Sequence, residues 1–168
     1  LKVNTLSDHT FQFVTPTGIS AAQTISITFP APSGYATGTF AIANFDLATS
    51  TSATCSGFTD AAIQSGAASG LTWGVSQATA TIYITSGTAT IPANRCVQIE
   101  IGSNATSSGT GVSQITNPTS AGVYSISLIA GADSGSINVT ILDSDQVAVT
   151  GTVTQSLTFT ISTTTIYF

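Results

Sequence analysis

The chain has 168 residues, of which two are cationic and seven acidic, with a net charge of −5 and a pI of about 4.1. Two cations cannot form a phosphate-binding face, which argues against a nucleic-acid partner and against binding to an anionic membrane surface. No apolar run approaches the roughly 20 residues that a spanning helix requires, so no membrane span is expected. Hydroxyl groups from 31 Thr and 23 Ser take the solubilising role of charges.

Alternation of apolar and hydroxyl residues is the dominant pattern along the chain. It places Ile25 and Ile27 opposite Ser26, and β-branched residues favour strands because their χ1 angles are already restricted. Such runs recur about every 8 to 15 residues, with turn signals between them. They cover residues 24–29, 80–85, 97–101, 124–128, 137–141, 147–150 and 157–161. The pattern predicts an all-β fold, an antiparallel β-sandwich of the Ig-like or Greek-key type.

One Ala-rich segment departs from this alternation. Residues 59–69 open with Thr59 and Asp60 as candidate caps, so at most one short helix is predicted there. Trp73 follows and is expected to plug one end of the core. No long linker or shift in composition divides the chain, and residues 1–168 are therefore predicted to form a single domain.

The two cysteines, Cys55 and Cys96, indicate an oxidising compartment. An even count in a chain with almost no lysine is typical of a secreted protein with one disulfide, and the polar flanks favour a bridge over two unrelated buried thiols. Closing this loop would stabilise the fold by roughly 4 kcal/mol. The chain begins at Leu1 and contains no Met, which indicates a processed product or part of a longer one. The expected location is extracellular, or at the cell surface.

Catalysis has little support in the sequence. Ser7, Asp8 and His9 are consecutive, but neighbouring strand residues point to opposite faces, whereas a triad needs its imidazole between the other two groups. The chain has one His and one Glu, and it lacks a glycine-rich phosphate motif that follows a strand and opens a helix. An enzyme is therefore the last choice, and no cofactor is expected apart from a candidate calcium ion.

Three aspartates form the candidate calcium site. Asp143 and Asp145 lie in one predicted turn, and Asp133 lies in the turn before it. Calcium takes six or more oxygen ligands, and loops often supply them. The competing interpretation, which the residues favour, is that these carboxylates cap their own turns by accepting backbone N–H groups.

Two Asn-x-Thr triplets are candidate glycosylation sites. Asn104 lies in a predicted loop, and Asn138 lies on the polar face of a predicted strand, so both are compatible with surface glycans. In a chain this rich in threonine, such triplets also arise by chance.

Both ends of the chain have the pattern of strands. Residues 1–15 and 155–168 are predicted strands, and the second of them is apolar and uncharged. An unpaired strand of that kind is an aggregation hazard in a soluble monomer, but it suits pairing with another copy of the chain. The alternative is that both ends complete the chain's own sheet. The candidate subunit-pairing residues are Leu157, Phe159, Ile161, Ile166 and Phe168.

Several stretches resemble secreted β-sandwich proteins of candidate-phyla, Patescibacteria-type bacteria. The more specific parts are QITNPTSAGVYSI, residues 114–126, and DQVAV, which begins at Asp145. These parts lie within the longer stretches IEIGSNATSSGTGVSQITNPTSAGVYSISL and ILDSDQVAVTGTVTQSLTFTIS, and the other two stretches are HTFQFVTPTGISAAQTISITFP and LTWGVS. The resemblance implies export and a structural or adhesive role outside the cell, and it brings no catalytic residues.

The sequence thus favours an extracellular structural subunit that polymerises into a surface filament, pilus-like fibre or surface layer by strand pairing or donor-strand exchange. Its partners would be copies of itself. The alternative is a secreted adhesin or carbohydrate-binding module that contacts glycans or a host surface. The aromatic side chains available for stacking on a sugar would be Trp73, Tyr35, Tyr83, Tyr124 and Tyr167.

Overall fold

A computed structural model of the single chain describes residues 1–30, 34–37 and 40–144. Its elements, in chain order, are β1 (Leu6–Ser7), β2 (His9–Thr15), β3 (Thr24–Thr28), a 3-10 turn (Ile42–Asn44), β4 (Phe45–Thr49), β5 (Thr59–Asp60), β6 (Ile63–Ser65), β7 (Trp73–Ala78), β8 (Thr81–Thr85), β9 (Arg95–Ile101), β10 (Ile115–Thr116), β11 (Gly122–Ala130) and β12 (Asp133–Ile141). Within these ranges, no helix has the length and apolar character needed to cross a membrane.

The strands form two main sheets. The large sheet has the order β12-β11-β3-β8-β7-β6, the small sheet has the order β2-β9-β4-β5, and β1 pairs with β10 beside them. All pairs of named strands are antiparallel except β6 with β7. The predicted all-β antiparallel sandwich is confirmed.

The strand register places the apolar residues of neighbouring strands opposite each other, so the faces predicted to be buried are the buried faces in the structure. Ile25 pairs with Ile84, and Ile27 pairs with Ile82, so four fully buried isoleucines meet on one face of β3 and β8. The opposing β9 contributes Val97, Ile99 and Ile101, which are also buried, as the alternation predicted. Side chains of both sheets belong to one apolar cluster. Burying one such side chain stabilises the fold by about 1.5–3 kcal/mol.

The outer face of the large sheet has hydroxyls where the inner face has isoleucines. Oγ1 of Thr24 lies 3.0 Å from Oγ1 of Thr85, and the same distance separates Thr28 from Thr81. Cross-strand Thr pairs of this kind contribute roughly 0.2–1 kcal/mol each. The hydroxyls on this face therefore bond to one another across the strands.

Residues 59–69, where at most one short helix was predicted, form strands and no helix. Thr59–Asp60 pairs with β4 in the small sheet, and Ile63–Ser65 pairs in parallel with β7 in the large sheet. A helix of about eleven residues is marginal without a packed face, whereas each half of this segment finds an open sheet edge for its backbone groups. The segment therefore crosses from one sheet to the other. Trp73 follows it and is buried, as predicted.

The beginning of the chain belongs to its own sandwich. β1 pairs with β10, and β2 pairs with β9 along its whole length, from His9 opposite Ile101 to Thr15 opposite Arg95. Of the strand predicted over residues 1–15, residues 6–7 and 9–15 are strands paired inside the chain, whereas residues 1–5 contain an isolated bridge at Lys2 and a turn. Residues 155–168 lie outside the described residues.

The predicted disulfide between Cys55 and Cys96 is present. Cys96 lies on β9, and the loop that contains Cys55 is also held to Cys96 by two backbone hydrogen bonds. Cys96 N donates to Ser52 O, and Ser50 N donates to Cys96 O. The bridge therefore fastens the 50–57 loop over the small sheet and buries Cys96.

Candidate assembly site at the β2–β12 groove

A groove opens between the two sheets where the edge strand of one faces the edge strand of the other. We name it the β2–β12 groove; its apolar lining is Phe11 and Phe13 of β2, Ile126 and Leu128 of β11, and Ile137 of β12. Its volume there is about 190 Å³. A continuation of about 260 Å³ runs on past Phe13 and Leu128 towards Asp133.

The groove follows from the local sequence of the β11–β12 hairpin. Gly135 pairs with Leu128 and faces the groove, where an added Cβ would have no neighbour within 4 Å. Ile137, two residues further along the same face, is 49% exposed although its partner Ile126 is buried. The alternation predicted that Ile137 faces the core, and it does face inward, but the core is open at this point.

Both ends of the groove are fixed. At one end, the Thr17 amide donates to Asp133 Oδ2 at 3.1 Å, which ties the end of β2 to the start of β12. At the other end, the rings of His9, Tyr35 and Tyr124 are in contact, with centroids about 6 Å apart. Since Tyr124 pairs with Val139, the start of β2 faces the end of β12. The two strands therefore run antiparallel across the groove.

The outer edge of β12 is the second part of the site. β12 pairs with β11 on one side, and no described strand pairs with its other side between Asp133 and Val139. Residues 1–3 cover the edge only at its end, where Leu1 N donates to Thr140 O, and Leu142 N donates to Leu1 O. After Asp133, β12 has no charged residue and no proline. Main-chain groups along most of this strand are thus free of strand partners within the described part of the chain.

The Ser7-Asp8-His9 run divides between two faces, as predicted. The Ser7 hydroxyl donates to Asn117 Oδ1 at 2.8 Å and lies 3.0 Å from Nε2 of His9. Asp8 points the other way and accepts bonds from the backbone and side chain of Ser103. Asp8 therefore takes no part in the Ser7–His9 contact.

Burial and hydrogen bonding shift the two titratable groups of this run. Burial lowers the pKa of His9 and outweighs the opposing effect of the nearby Asp8 carboxylate. Burial acts to raise the pKa of Asp8, but hydrogen bonds from Gln114 and Ser103 outweigh it, so this pKa is lowered. The native state thus favours a neutral imidazole beside an ionised carboxylate.

Two of the three candidate calcium ligands, Asp133 and Asp143, lie far apart in the described part of the chain. Asp133 opens β12, and Asp143 follows its end, so about ten residues of extended chain, roughly 30 Å, separate them. Asp133 is a partner of the Thr17 amide instead. Asp145 lies outside the described residues, and within them no three His, Cys, Asp or Glu side chains are grouped to hold a metal. A site shared by Asp133 and Asp143 is therefore excluded by the length of the strand.

The two candidate glycosylation sites differ in their surroundings. Asn138 is exposed on β12, and its backbone is opposite Ser125. Asn104 is half-buried, and its Nδ2 donates to Thr10 Oγ1 at 2.9 Å. Nδ2 is the atom that a glycan would take, so the structure favours Asn138 over Asn104.

Few of the aromatic side chains considered for sugar stacking are accessible. Trp73 and Tyr35 are buried, and Tyr124 is half-buried with its hydroxyl bonded to Ser120 O. Tyr83 is 36% exposed on the outer face of the large sheet. Tyr167 and the candidate subunit-pairing residues lie outside the described residues; the latter are Leu157, Phe159, Ile161, Ile166 and Phe168.

A buried carboxylate that the alternation does not mark, that of Asp46, holds the 103–111 loop. Asp46 accepts bonds from the amides of Thr106, Ser107 and Ser108 at 2.6–2.7 Å. Its neighbour across the strands is Glu100, whose pKa is raised by burial and then by the Asp46 and Asp60 charges. Nothing in the alternation links Asp46 to a loop sixty residues later. The hydrogen bonds between Asp46 and the loop amides depend on how the loop folds back over β4.

The fold and the site define a β-sandwich with an apolar groove and a long strand edge that has no charged residue after Asp133. Neither protein-family models, nor curated proteins, nor solved structures give a match to this chain.

Proposed function

We propose that the chain is an extracellular structural subunit that polymerises into a surface filament, pilus-like fibre or surface layer by β-strand pairing between subunits. The observation that carries the proposal is the outer edge of β12. Between Asp133 and Val139 no described strand pairs with it. The proposed role requires no chemical step, and its partner is a second copy of the chain.

The composition of β12 supports the proposal. Soluble proteins usually protect an exposed edge with lysine, proline, a bulge or a very short strand. β12 is nine residues long, pairs without interruption with β11, and after Asp133 consists of uncharged residues. An edge with none of these protections suits a strand whose partner comes from another subunit.

The last part of the sequence supplies a matching donor. Leu157, Phe159 and Ile161 alternate with Thr158 and Thr160, and residues 155–168 contain no charge. In strand addition, main-chain bonds supply adhesion, and alternate side chains fill apolar pockets. Such a donor on β12 would place apolar side chains over the exposed face of Ile137, which is continuous with the β2–β12 groove.

An extracellular location is supported by the disulfide and by the solubilising hydroxyls. Disulfides persist in oxidising compartments and are rare in the cytosol. A surface nearly free of charge also makes assembly insensitive to the ionic strength of the surroundings, since screening acts on charges.

The acceptor edge is tested with two serines that face each other across β11 and β12. Ser136 lies on the edge strand, and Ser127, its register partner, lies on the inner strand; both are exposed. We expect Ser136→Lys to abolish polymers seen by electron microscopy and light scattering, whereas Ser127→Lys leaves them intact. Polymers of equal length from both variants, or a wild-type chain that stays monomeric at high concentration, would contradict the proposal.

The donor is tested in the same way. Phe159→Asp puts a charge on the apolar face of the donor segment, and Thr160→Asp puts the same charge on its hydroxyl face. Only the first is expected to stop polymerisation, because an unpaired carboxylate is costly in an apolar contact. Equal effects of the two variants would exclude this segment as the donor.

A second candidate function, that of a secreted adhesin or carbohydrate-binding module, is supported by Tyr83. Its ring is exposed between Ser26 and Ser76, its register partners on β3 and β7. An aromatic ring among hydroxyls on an uncharged sheet is a suitable platform for a neutral sugar. Binding on a glycan array that is lost in Tyr83→Ala would support this role, and an array without any binding would exclude it for the sugars tested.

A further inference from the structure

The outer face of the large sheet is broad and carries two continuous rows of uncharged side chains across five strands. In each row, every residue is the register partner of the next, from β12 through β11, β3 and β8 to β7. The first row consists of Ser134, Ile129, Ser26, Tyr83 and Ser76, and the second consists of Ser136, Ser127, Thr28, Thr81 and Ala78. We name these two rows the hydroxyl face. Ile129 is 50% exposed and Tyr83 is 36% exposed, so apolar surface lies open among the hydroxyls.

The charged side chains of the strands lie away from the hydroxyl face. Asp46, Asp60 and Glu100 belong to the small sheet, and Asp133 points inward because its register partner Ala130 is buried. Two copies that met through the hydroxyl face would therefore have their small sheets on the outside. Stacked sheets lie about 10 Å apart, so roughly 30 Å would separate the two small sheets, well beyond the Debye length of about 8 Å. The net charge of −5 thus does not oppose this contact.

We propose that the hydroxyl face pairs with the same face of a second copy, about a two-fold axis that runs along β3. The inference rests on the proposed assembly role and deepens it. Pairing along the outer edge of β12 joins subunits within one polymer, whereas pairing through the hydroxyl face joins neighbouring polymers side by side. It also assigns the exposed ring of Tyr83 to a second copy and not to a sugar.

The residue pattern on the two sides of β3 fits such an axis. A two-fold axis along β3 places β11 of one copy over β8 of the other, and β12 over β7, since the same patch serves both copies. Ile129 then meets Tyr83 of the second copy, and the two exposed apolar side chains of the first row are covered together. In the second row, Ser127 meets Thr81 of the second copy, so small side chains flank the apolar contact.

The threonine hydroxyls of this sheet already have partners within the chain. Oγ1 of Thr28 lies 3.0 Å from Oγ1 of Thr81, and Thr24 and Thr85 are paired at the same distance beside the hydroxyl face. Burying a hydroxyl is costly when it has no hydrogen bond. Because each of these pairs keeps its hydrogen bond when water leaves, a second sheet can cover them at low cost.

The size of the hydroxyl face determines what kind of association follows. Five strands at about 4.8 Å and five residues at about 3.4 Å give roughly 24 Å by 17 Å, a footprint of about 400 Å² per copy. A standard stable interface buries about 800 Å² per partner. One pair of faces therefore holds two free subunits only weakly, whereas many pairs acting together along two polymers give firm lateral association.

Lateral association is tested with a lysine on the hydroxyl face. Ser127→Lys places an unpaired charge on it, and the control Thr51→Lys places the same charge on the exposed loop over the small sheet. We expect wild-type and Thr51→Lys polymers to lie side by side in electron micrographs and to pellet at low speed. Ser127→Lys polymers should stay single and in the supernatant, because an unpaired charge is costly to bury. Equal association of all three, or single wild-type polymers, overturns the inference.

The axis is tested by crosslinking. Ser26 lies on the axis and would face Ser26 of the second copy, whereas Ser76 lies two strands away, so its two copies would be about 19 Å apart along the sheet. Since Cys55 and Cys96 are bridged, Ser26→Cys or Ser76→Cys supplies the one free thiol. With a short bis-maleimide, we expect covalent dimers from Ser26→Cys and none above background from Ser76→Cys. Equal yields from the two variants overturn the inference.

The outcome is separable from that of the proposed function. Ser26→Cys dimers from chains that never form polymers support this inference and contradict only the assembly role. Polymers without such dimers give the reverse result. Retention of the protein on an insoluble neutral polysaccharide such as cellulose, without such dimers, would assign the hydroxyl face to a glycan and overturn the inference.

Discussion

The Val3 amide donates a 3.0 Å hydrogen bond to the Leu142 carbonyl, so the start of the chain lies along the end of the last described strand. Lys2 and Leu142 form a parallel bridge at the same place. These contacts divide the outer edge of β12 into a covered end and an open stretch from Asp133 to Val139. Any strand that joins this edge from another subunit is limited to the open stretch.

Val3→Pro tests that contact. Proline has no amide proton, so the bond to Leu142 is lost and the fold should be weakened by about 1 kcal/mol. Hydrogen exchange is expected to accelerate at Leu142, whose own amide donates to Leu1. The amides in the middle of β11 are the internal control and should be unchanged. Unchanged exchange at Leu142 would mean that residues 1–3 do not protect this edge in solution.

Removal of the disulfide should destabilise the fold. The bridge joins residues 41 positions apart, and the double variant Cys55→Ser, Cys96→Ser is expected to lose about 2–5 kcal/mol of unfolding free energy. Denaturant titration measures this difference. Wild-type protein under reducing conditions should match the double variant, and equal stability in oxidising and reducing buffer would contradict the role given to the bridge.

The stability of the fold should fall as the pH drops below the ordinary pKa of histidine. His9 is the single histidine, and burial lowers its pKa in the folded state. The unfolded chain therefore binds a proton near pH 6.5, before the folded chain does, and stability is lost from there downward until the folded pKa is passed.

His9→Phe should remove that part of the pH dependence, since Phe keeps an aromatic ring beside Phe11 and Phe29 and does not titrate. Melting temperatures measured between pH 7.5 and 5.5 provide the comparison. A wild-type slope that persists in the variant would assign the effect to another group.

The Asp46 carboxylate should contribute more to the free energy of unfolding than the exposed Asp60 carboxylate. Asp46→Asn leaves some of the three loop amides without an acceptor in a buried place, which is expected to cost about 2–3 kcal/mol. Asp60→Asn, on an exposed position of β5, is the control and should change little. Thermal unfolding measures both. Equal shifts would mean that the 103–111 loop is held by other contacts.

The two Asn-x-Thr triplets should differ in occupancy. In a secretory host that attaches N-linked glycans, we expect Asn138 to be modified and Asn104 to remain free, because Nδ2 of Asn104 is bonded to Thr10 and half-buried. Peptide mass spectrometry measures the occupancy, and Thr140→Ala should abolish it at Asn138. Modification at Asn104 alone would contradict the assignment.

Much of this architecture could be predicted without coordinates. A strand has a period of two, so alternation along Ile25 and Ile27 or along Val97, Ile99 and Ile101 is enough to name the buried face. The disulfide could be predicted from cysteine count and composition, because few other uses exist for two cysteines in such a chain. The strands at 59–60 and 63–65 were not predicted, since they depend on two sheet edges formed by distant residues.

What the sequence by itself determined is therefore local: which runs are strands, which face of each is apolar, and how few charges the surface has. Only the tertiary structure decided which edges remain open, that Ile137 faces a gap beside Gly135, that Asp46 holds a loop sixty residues away, and that Asp133 and Asp143 lie at opposite ends of one strand. The reason is physical: a pattern of side chains fixes the conformation of a strand, whereas neighbours, gaps and convergence depend on backbone pairing between segments far apart in the chain.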